Sequence, residues 1–382
     1  MVYLDNAATT RQSKASIAEF LRVSEEAFAN PSSIHEAGRL AEEELAGARK
    51  YILKHSIPDA KKVVFTGSAT EANNIIIRGL LRDDARLKII TSQIEHPSVL
   101  NVCENIKSEN IIVDTVSVDK DGSLNLNELY EKIDEDTALV SIQHVNSEVG
   151  AIQPLHKISN IIRESNARLE PLRRGKIRHT YFHSDCVQSF SKMDIDAELD
   201  FASVSAHKIG GPKGIGALIF GTGIKAVRPF IYGGGQEYGI RSGTENVPAI
   251  SAFTEALKES RAFDSDAKKG DIKRYFLDKI SEFKELVPIL PSQASPYIQA
   301  VRFKGFKPEV VVHALEDKGV YVSTGSACSS KAKESHVLKA LGYNDMDVVR
   351  FSFSNDTTKA DIDEAVCAIA DQIGRASCRE RV

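Results

Sequence analysis

The chain has 382 residues, of which 42% are hydrophobic, and it carries a formal net charge of −4 at pH 7. A chain of this length buries a large core and is long enough for two domains. The small negative charge gives no reason to expect direct nucleic-acid binding. The amino terminus lacks the basic start and apolar run of a signal peptide, and no stretch reaches membrane-spanning length, so we expect a cytoplasmic protein without membrane contact.

The five cysteines form no Cys-x-x-Cys pair and no spacing typical of a zinc site. We therefore expect neither a disulfide framework nor a metal site. Any cysteine chemistry should be that of a single thiol.

Short apolar runs alternate with amphipathic stretches from residue 62 to residue 220, which predicts an α/β domain with a mostly parallel sheet. The runs expected to form its strands are 62–66, 87–91, 111–113, 138–142, 180–184, 201–205 and 216–220. After about residue 255 the pattern changes to a long charged helix, short strands and a final helix from Lys359, which indicates a smaller α+β domain. We place the large domain at residues 12–257 and the smaller one at residues 1–11 and 258–372.

Three local features stand apart from this pattern. Residues 163–178 are rich in arginine and contain Pro171 and Gly175, which predicts a basic surface loop, either a solvated insertion or a docking site for an acidic partner. The final helix carries an apolar stripe, so Cys367 beside it should be a packing residue. Residues 373–382 interrupt the helical pattern and look like a non-native tail, in which Cys378 should carry no function.

Lys208 lies at the end of an apolar-polar strand, directly before a glycine-rich turn. A lysine held in a partly desolvated cleft can lose its proton and condense with a carbonyl, of which pyridoxal phosphate offers an obvious one. The alternative is a solvated turn lysine.

Residues 66–73 supply small side chains directly after one strand and before an apolar helical run. A helix start of this kind can hold a phosphate through free backbone amides, with hydroxyls from Ser68 or Thr70. The alternative is ordinary capping by Thr70, with Glu71 in the first turn.

Two further strand ends carry groups suited to the same cofactor. Asp185 could pair with a pyridinium nitrogen, with the amide of Gln188 near the phenolic oxygen of the ring; Asp185 could equally cap the next helix. His96 precedes Pro97, which suits a first helical position, so its ring would lie at a strand-to-helix junction. There it could stack on a flat cofactor and exchange protons, or serve as a structural histidine.

The remaining candidates suit substrate binding and sulfur chemistry. Asn146 follows a strand and could bind a substrate carboxylate, or stabilise a turn. Arg350 lies on an apolar strand, where a guanidinium usually pairs with a carboxylate of the protein or of a substrate. Cys328 lies in a stretch of small residues followed by Lys331 and Lys333, whose charges favour a thiolate; the alternative is an incidental surface cysteine.

Taken together, these segments resemble the cysteine desulfurases, fold type I pyridoxal-phosphate enzymes related to the class V aminotransferases. The resemblance covers nearly the whole chain and rests on residues 3–10, 30–33, 69–71, 95–96, 241–246, 325–328 and 350–352. It implies an α/β fold whose large domain has a mostly parallel seven-stranded sheet, with a smaller α+β domain.

The resemblance also implies roles for single residues. Lys208 would form the Schiff base with pyridoxal 5'-phosphate, His96 would stack on its ring and take part in catalysis, and Asp185 and Gln188 would hold the ring's nitrogen and phenolic oxygen. The expected phosphate contacts are Ala69, Thr70, Ser205 and His207. Thr244 would reach the cofactor of a partner subunit, which implies a homodimer. Asn146, also counted among the cofactor contacts, would bind the substrate together with Arg350.

The implied reaction converts L-cysteine to L-alanine and leaves the sulfur on Cys328 as a persulfide. An acceptor protein for iron–sulfur cluster assembly or tRNA thiolation would then receive it. The rivals are a selenocysteine lyase or class V aminotransferase with the same cofactor, and a sulfur-relay scaffold without turnover. Lys208, Asp185 and His96 argue against the scaffold, and Cys328 distinguishes a desulfurase from an aminotransferase.

Overall fold

The computed structural model describes residues 1–81, 86–173, 179–221, 227–262, 270–325, 335–343 and 347–379. Its strands are β1 (Val2–Tyr3), β2 (Lys62–Thr66), β3 (Leu87–Ser92), β4 (Ile111–Val116), β5 (Thr137–Ser141), β6 (Tyr181–Asp185), β7 (Phe201–Ser205), β8 (Gly216–Phe220), β9 (Leu286–Pro288), β10 (Ile298–Phe303), β11 (Val320–Tyr321) and β12 (Val348–Ser352). Its helices are α1 (Lys14–Glu26), α2 (Glu36–His55), α3 (Ala69–Gly79), α4 (Pro97–Ile106), α5 (Leu126–Lys132), α6 (Leu155–Leu169), α7 (Val247–Ala262), α8 (Asp271–Ile280), α9 (Pro308–Glu316), α10 (His336–Ala340) and α11 (Lys359–Arg379). In this part of the chain no helix is long and apolar enough to span a membrane.

The central sheet has seven strands in the order β2-β8-β7-β6-β5-β3-β4. Its pairings are parallel except for those of β8, which runs antiparallel to β2 and β7. Strands β5, β7 and β8 are buried at every residue, as expected for a sheet covered on both faces. The predicted mostly parallel seven-stranded sheet is therefore confirmed.

Successive residues of the central strands pack into two different hydrophobic cores. Leu139 and Phe201 pack with α3 and α4 on one face, whereas Val140 and Ala202 pack with helices of the opposite face, among them α6 and α7. This follows from the two-residue period of a strand, which sends successive side chains to opposite faces. The sheet is thus held between two helical layers, and only its strand ends are open to form a site.

A second core is built around two smaller sheets. Strand β10 pairs antiparallel with β9 and β12, and β1 pairs parallel with β11 through Val2 and Val320. Helices α8, α9 and α11 pack their apolar residues into this core. The first strand of the chain thus packs among its last elements; the boundaries at residues 12, 257 and 372 stay a prediction.

The predicted loop at residues 163–178 is wrong for its first half. Helix α6 continues to Leu169 and is followed by a short 3-10 helix, Glu170–Leu172. The helix continues because Ile158, Ile162 and Leu169 extend a buried stripe at helical spacing. Residues 174–178 lie outside the described residues.

Two predictions for the last helix are also wrong. Helix α11 runs without a break to Arg379, although we expected the helical pattern to end near Ile373. A single glycine, Gly374, costs a helix only about 1 kcal/mol relative to alanine. Cys367 is exposed and not packed, because it lies about 100° around the helix from its neighbour in the buried stripe.

Candidate active site

One cavity lies at the carboxyl ends of the parallel strands, where α/β proteins bind their ligands. The elements that follow β2, β3, β5, β6 and β7 all contribute side chains to it, and segments near the start and end of the chain complete it. We call it the central cavity. It is lined by Ala7, Ala8, Ser68, Ala69, Thr70, His96, Ser98, Gln143, Val145, Ser147, Asp185, Val187, Gln188, Ser205, His207, Lys208 and Arg350. Ten residues predicted from the sequence are among them: Ser68, Ala69, Thr70, His96, Asp185, Gln188, Ser205, His207, Lys208 and Arg350.

The start of α3 lines the central cavity with Ser68, Ala69 and Thr70. Ser68 is the N-cap, and its Oγ accepts a hydrogen bond from the amide of Glu71 at 3.3 Å, so the capping residue is Ser68 and not Thr70. The amide of Ala69 donates to Ser205 Oγ at 2.9 Å. Gly216 on β8 permits this close packing, since a Cβ there would lie 2.8 Å from the carbonyl carbon of Ser68. The result is a helix start lined by small residues, which suits an anion.

Lys208 lies in a 3-10 turn, Ala206–Lys208, directly after β7. Its Nζ donates to the carbonyl oxygens of Ala7 and Ala8 at 2.7 and 2.8 Å. The lysine thus spans the central cavity to reach the first segment of the chain. This placement is not that of a solvated turn lysine.

Asp185 is buried at the end of β6, and both of its carboxylate oxygens accept hydrogen bonds. Oδ1 accepts from the amide of Val187 at 3.0 Å, and Oδ2 accepts from Nδ2 of Asn73 at 3.0 Å. The residues after Asp185 form a turn, so Asp185 stabilises that turn and caps no helix. Its carboxylate is fixed against the central cavity by two donors.

His96 is the N-cap of α4, with Pro97 at the first helical position as predicted. Its Nδ1 accepts a hydrogen bond from the amide of Ser98 at 3.1 Å and lies 2.8 Å from Ser98 Oγ. Burial lowers the pKa of His96 below its usual 6.5, and this effect exceeds the opposing attraction of Asp185. The imidazole is therefore neutral near pH 7.

His207 lies beside Lys208, with Nδ1 at 3.1 Å from the hydroxyl of Thr9. Burial lowers the pKa of His207 to about 4, and the positive charge of Lys208 adds to the effect. The ring is therefore a neutral hydrogen-bonding group at one wall of the central cavity.

Gln188 and Arg350 each have a buried polar atom that lacks a hydrogen-bond partner among the described residues. Gln188 donates from Nε2 to the carbonyl of Ala7 at 2.9 Å. Arg350 is 1% exposed and donates to Asp5 Oδ1 at 2.7 Å and to the carbonyl of Ser147 at 2.9 Å. Within the described residues, Gln188 Oε1 and Arg350 Nε are buried without a partner. The carboxylate predicted for Arg350 is thus Asp5, and one guanidinium nitrogen remains for another group.

Three predicted site residues do not line the central cavity. Asn146 is buried and stabilises a turn: its Oδ1 accepts from the amides of Glu148 and Val149, both at 2.9 Å, and its Nδ2 donates to the carbonyl of Ile94 at 2.9 Å. Thr244 is exposed to solvent in the single chain. Cys328 lies outside the described residues.

Asn73, Ser98 and Glu95 were not predicted as site residues from the sequence. Asn73 follows Ala69 by four residues and therefore lies on the same face of α3, which is how the sequence could have indicated it. Ser98 follows His96 by two residues at the start of α4. Glu95 is fully buried and accepts from Ser92 Oγ at 2.6 Å and from the amide of Gln143 at 2.9 and 3.0 Å; burial raises its pKa to about 8.

Comparisons with known proteins show which family the chain is similar to. The aminotransferase class-V family model matches residues 2–365. The chain is 37% identical to a cysteine desulfurase, IscS 1, of Archaeoglobus fulgidus, over 90% of this chain and 88% of the relative. It is 32% identical to the putative cysteine desulfurase IscS 1 of Bacillus subtilis, over 98% of this chain and 99% of the relative.

Solved structures give the same result. A NifS-like protein matches with a TM-score of 0.88 and 31% identity over 98% of this chain and 99% of the other. SspA, solved in complex with cysteine, matches with a TM-score of 0.78 and 29% identity over 94% of this chain and 100% of the other.

Proposed function

The chain belongs to the aminotransferase class-V family and, within it, to the cysteine desulfurases, and we propose that it moves the sulfur of L-cysteine onto Cys328 with pyridoxal 5'-phosphate bound in the central cavity. The products are L-alanine and a persulfide on Cys328. The persulfide then passes to an acceptor protein that serves iron–sulfur cluster assembly or tRNA thiolation.

The convergence of Lys208, Asp185 and His96 on one cavity is the observation that carries this proposal. They follow β7, β6 and β3, and no two of them are close in sequence. An amine, a carboxylate held by two donors and a neutral imidazole at one strand edge are the groups that a pyridoxal cofactor requires. A protein that only relays sulfur needs none of them.

The residues of the central cavity fit pyridoxal 5'-phosphate end to end. The phosphate would lie at the start of α3 with Ala69, Thr70, Ser205 and His207, while Asp185 would hold the ring nitrogen at the opposite end. The unpartnered buried Oε1 of Gln188 indicates a polar neighbour that the described residues do not supply. When bound, the cofactor stabilises negative charge at the α-carbon of an amino acid.

The chain's own residues have separate tasks around that chemistry. Lys208 would anchor the cofactor by its amine and, when that amine is free, would remove the α-proton of the substrate. His96 would lie against one face of the cofactor ring. Asn146 and Arg350 serve the substrate: Arg350 Nε would bind its carboxylate, and Asn146 shapes the turn that contains Ser147. The thiolate of Cys328 would attack the sulfur of L-cysteine, so that the new S–S bond forms as the carbon–sulfur bond breaks. The β-carbon of the substrate would keep the electron pair of that bond and take up a proton, which gives L-alanine.

Exposed apolar side chains support a homodimer. Five of them fall within residues 17–40, on α1, the following connection and the start of α2: Ile17, Leu21, Phe28, Ile34 and Leu40. Ile34 is 99% exposed. A concentration of this kind is typical of a surface that a second copy covers. Thr244, exposed in the single chain, would then contact the cofactor phosphate of the partner subunit.

The test is alanine release from L-cysteine, measured with and without a reductant that removes the persulfide. We expect reductant to accelerate release by the native protein, and Cys328→Ala to abolish that release. Cys367→Ala removes another exposed thiol and serves as the matched control, which should behave like the native protein. Unchanged release by Cys328→Ala would disprove the sulfur-carrier role and favour another lyase or an aminotransferase.

A further inference from the structure

A buried chain of hydrogen bonds joins His96 to Asp185 beneath the central cavity. Asn73 Nδ2 lies 3.0 Å from Asp185 Oδ2 and 2.9 Å from Ser98 Oγ, and Ser98 Oγ lies 2.8 Å from His96 Nδ1. Asn73 is 0% and Ser98 is 9% exposed. Helices α3 and α4 therefore link the two groups that would flank the cofactor ring.

The carboxylate at one end sets the direction of every hydrogen bond in this chain. A carboxylate only accepts, so the amide of Asn73 must turn its NH2 group toward Asp185. The second hydrogen of that NH2 group then points to Ser98 Oγ, which accepts it. The hydroxyl proton of Ser98 is left to donate to His96 Nδ1.

The unpartnered atom of Asn73 supports this orientation. Within the described residues, its Oδ1 is buried without a hydrogen bond, a costly arrangement. Exchanging the two ends of the amide would turn this oxygen toward the Asp185 carboxylate and leave Ser98 Oγ without its donor. The orientation is therefore set by Asp185 and not by the needs of Asn73 itself.

We propose that Asn73 and Ser98 are positioning residues that hold His96 as the neutral tautomer with its proton on Nε2, so that His96 serves the reaction as a hydrogen-bond donor and not as a base. Two donors, the amide and the hydroxyl of Ser98, occupy the Nδ1 side. The edge of the ring away from α4 then carries Nε2–H, which can stabilise negative charge on a bound molecule. The proton of the substrate α-carbon is left to Lys208.

The role of His96 rests on the proposed function, whereas its tautomer does not, so the test measures the two separately. Histidine-selective 15N labelling of the cofactor-free protein, with His96 assigned from a His96→Gln variant, shows which ring nitrogen carries the proton. We expect a protonated Nε2 and an unprotonated Nδ1 at pH 7. A proton on Nδ1 in the native protein would overturn the proposal, whatever the variants do.

The variants test the positioning roles. Ser98→Ala should raise the pKa of His96 and mix the two tautomers, whereas Ser98→Thr, which keeps the hydroxyl, should resemble the native protein. Ser165→Ala removes a buried hydroxyl on α6, far from His96 in sequence, and serves as the control. Native spectra from Ser98→Ala would exclude the role of Ser98. Correct tautomers together with no alanine release from L-cysteine would instead refute the proposed function alone.

Discussion

Burial controls the protonation of four histidines that lie on or shortly after strands of the central sheet. It lowers the pKa values of His144, His183 and His207 to about 4 and lowers that of His96 as well. Near neutral pH these rings are uncharged and act through hydrogen bonds. Besides His96 and His207, the ionisable side chains that line the central cavity within the described residues are Lys208, Asp185 and Arg350.

Glu95 gives a pH prediction with a definite sign. Burial raises its pKa from 4.5 to about 8, so between these pH values the folded protein holds one proton that the unfolded chain has lost. The free energy of unfolding then falls as the pH rises through this window, by a few kcal/mol at most, at about 1.4 kcal/mol per pKa unit. Glu95→Gln resembles the protonated acid and should be the more stable form above pH 8, with little difference near pH 4.5.

Urea unfolding of the native protein and of Glu95→Gln at pH 5, 7 and 9 checks this sign. Glu128→Gln is a suitable control: burial acts to raise the pKa of Glu128, but hydrogen bonds from Ser117 and Lys132 together outweigh it, so this pKa is lowered, in the opposite direction to that of Glu95. Equal pH dependence in the native protein and Glu95→Gln would show that Glu95 is ionised in the folded state.

Asn146 shows what the sequence allows at this scale. Two roles were possible for it, contact with the substrate or stabilisation of a turn. The residue type alone could not distinguish them, because an asparagine side chain suits both. Two of its hydrogen bonds are local to its own turn, but the bond to Ile94 depends on β3 and β5 lying side by side. That is tertiary information, which spacing in the sequence does not contain.

The start of a helix was predictable where a proline fixes the local backbone. Pro97 marked the first turn of α4 because its fixed φ and missing N–H suit that position. The start of α3 was predicted with the wrong capping residue, since Ser68 and Thr70 are both good caps and their choice depends on backbone geometry. The extension of α6 was missed because Pro171 and several arginines obscured a buried stripe of four-residue spacing.

Ser335 joins a helix cap to the neighbourhood of the site. Its Oγ accepts from the amide of Leu338 at 3.1 Å and donates to Glu148 Oε2 at 2.6 Å. On the other side of residues 326–334, a Cβ on Gly325 would lie 3.5 Å from the same Glu148 oxygen. Glu148 is buried, so both described ends of the Cys328 segment lie against one carboxylate.

Ser335→Ala should therefore lose stability and sulfur transfer together. Loss of the cap should lower the free energy of unfolding by about 1 kcal/mol. Alanine release should fall by roughly tenfold, more than this loss of stability would explain, because Cys328 would be misplaced. Asn125→Ala removes a comparable cap from α5, where Oδ1 accepts from the amide of Glu128 at 3.1 Å. Thermal unfolding and alanine release of both variants separate the effects, and equal release by the two would exclude a role for Ser335 in positioning.

At the scale of the whole molecule, alternating apolar runs were enough to predict the class of the sheet but not its order. The order β2-β8-β7-β6-β5-β3-β4 brings the ends of β3, β6 and β7 together, and this juxtaposition creates the central cavity. The pairing of β1 with β11 joins residues more than 300 positions apart. No periodicity in the sequence encodes such a contact.

If the two subunits of a homodimer share their active sites, two inactive variants should complement each other, which a monomer could not do. If Thr244 contacts the partner's cofactor, Lys208→Ala and Thr244→Glu disable the same site from different subunits: the first removes the anchoring amine, and the second places a carboxylate near the phosphate. Each variant alone should be inactive. A mixed dimer contains one site with both defects and one with neither, by two-fold symmetry.

Random association makes about half of all dimers mixed, so coexpression of the two variants should restore about a quarter of the native alanine release. Coexpression of Lys208→Ala with Asp185→Ala is the control, because both side chains line the cavity of their own chain and no intact site can form. Recovery in the first mixture alone would establish that Thr244 acts across the dimer. Its failure, with mixed dimers verified by affinity tags, would mean that Thr244 serves its own chain or no site at all.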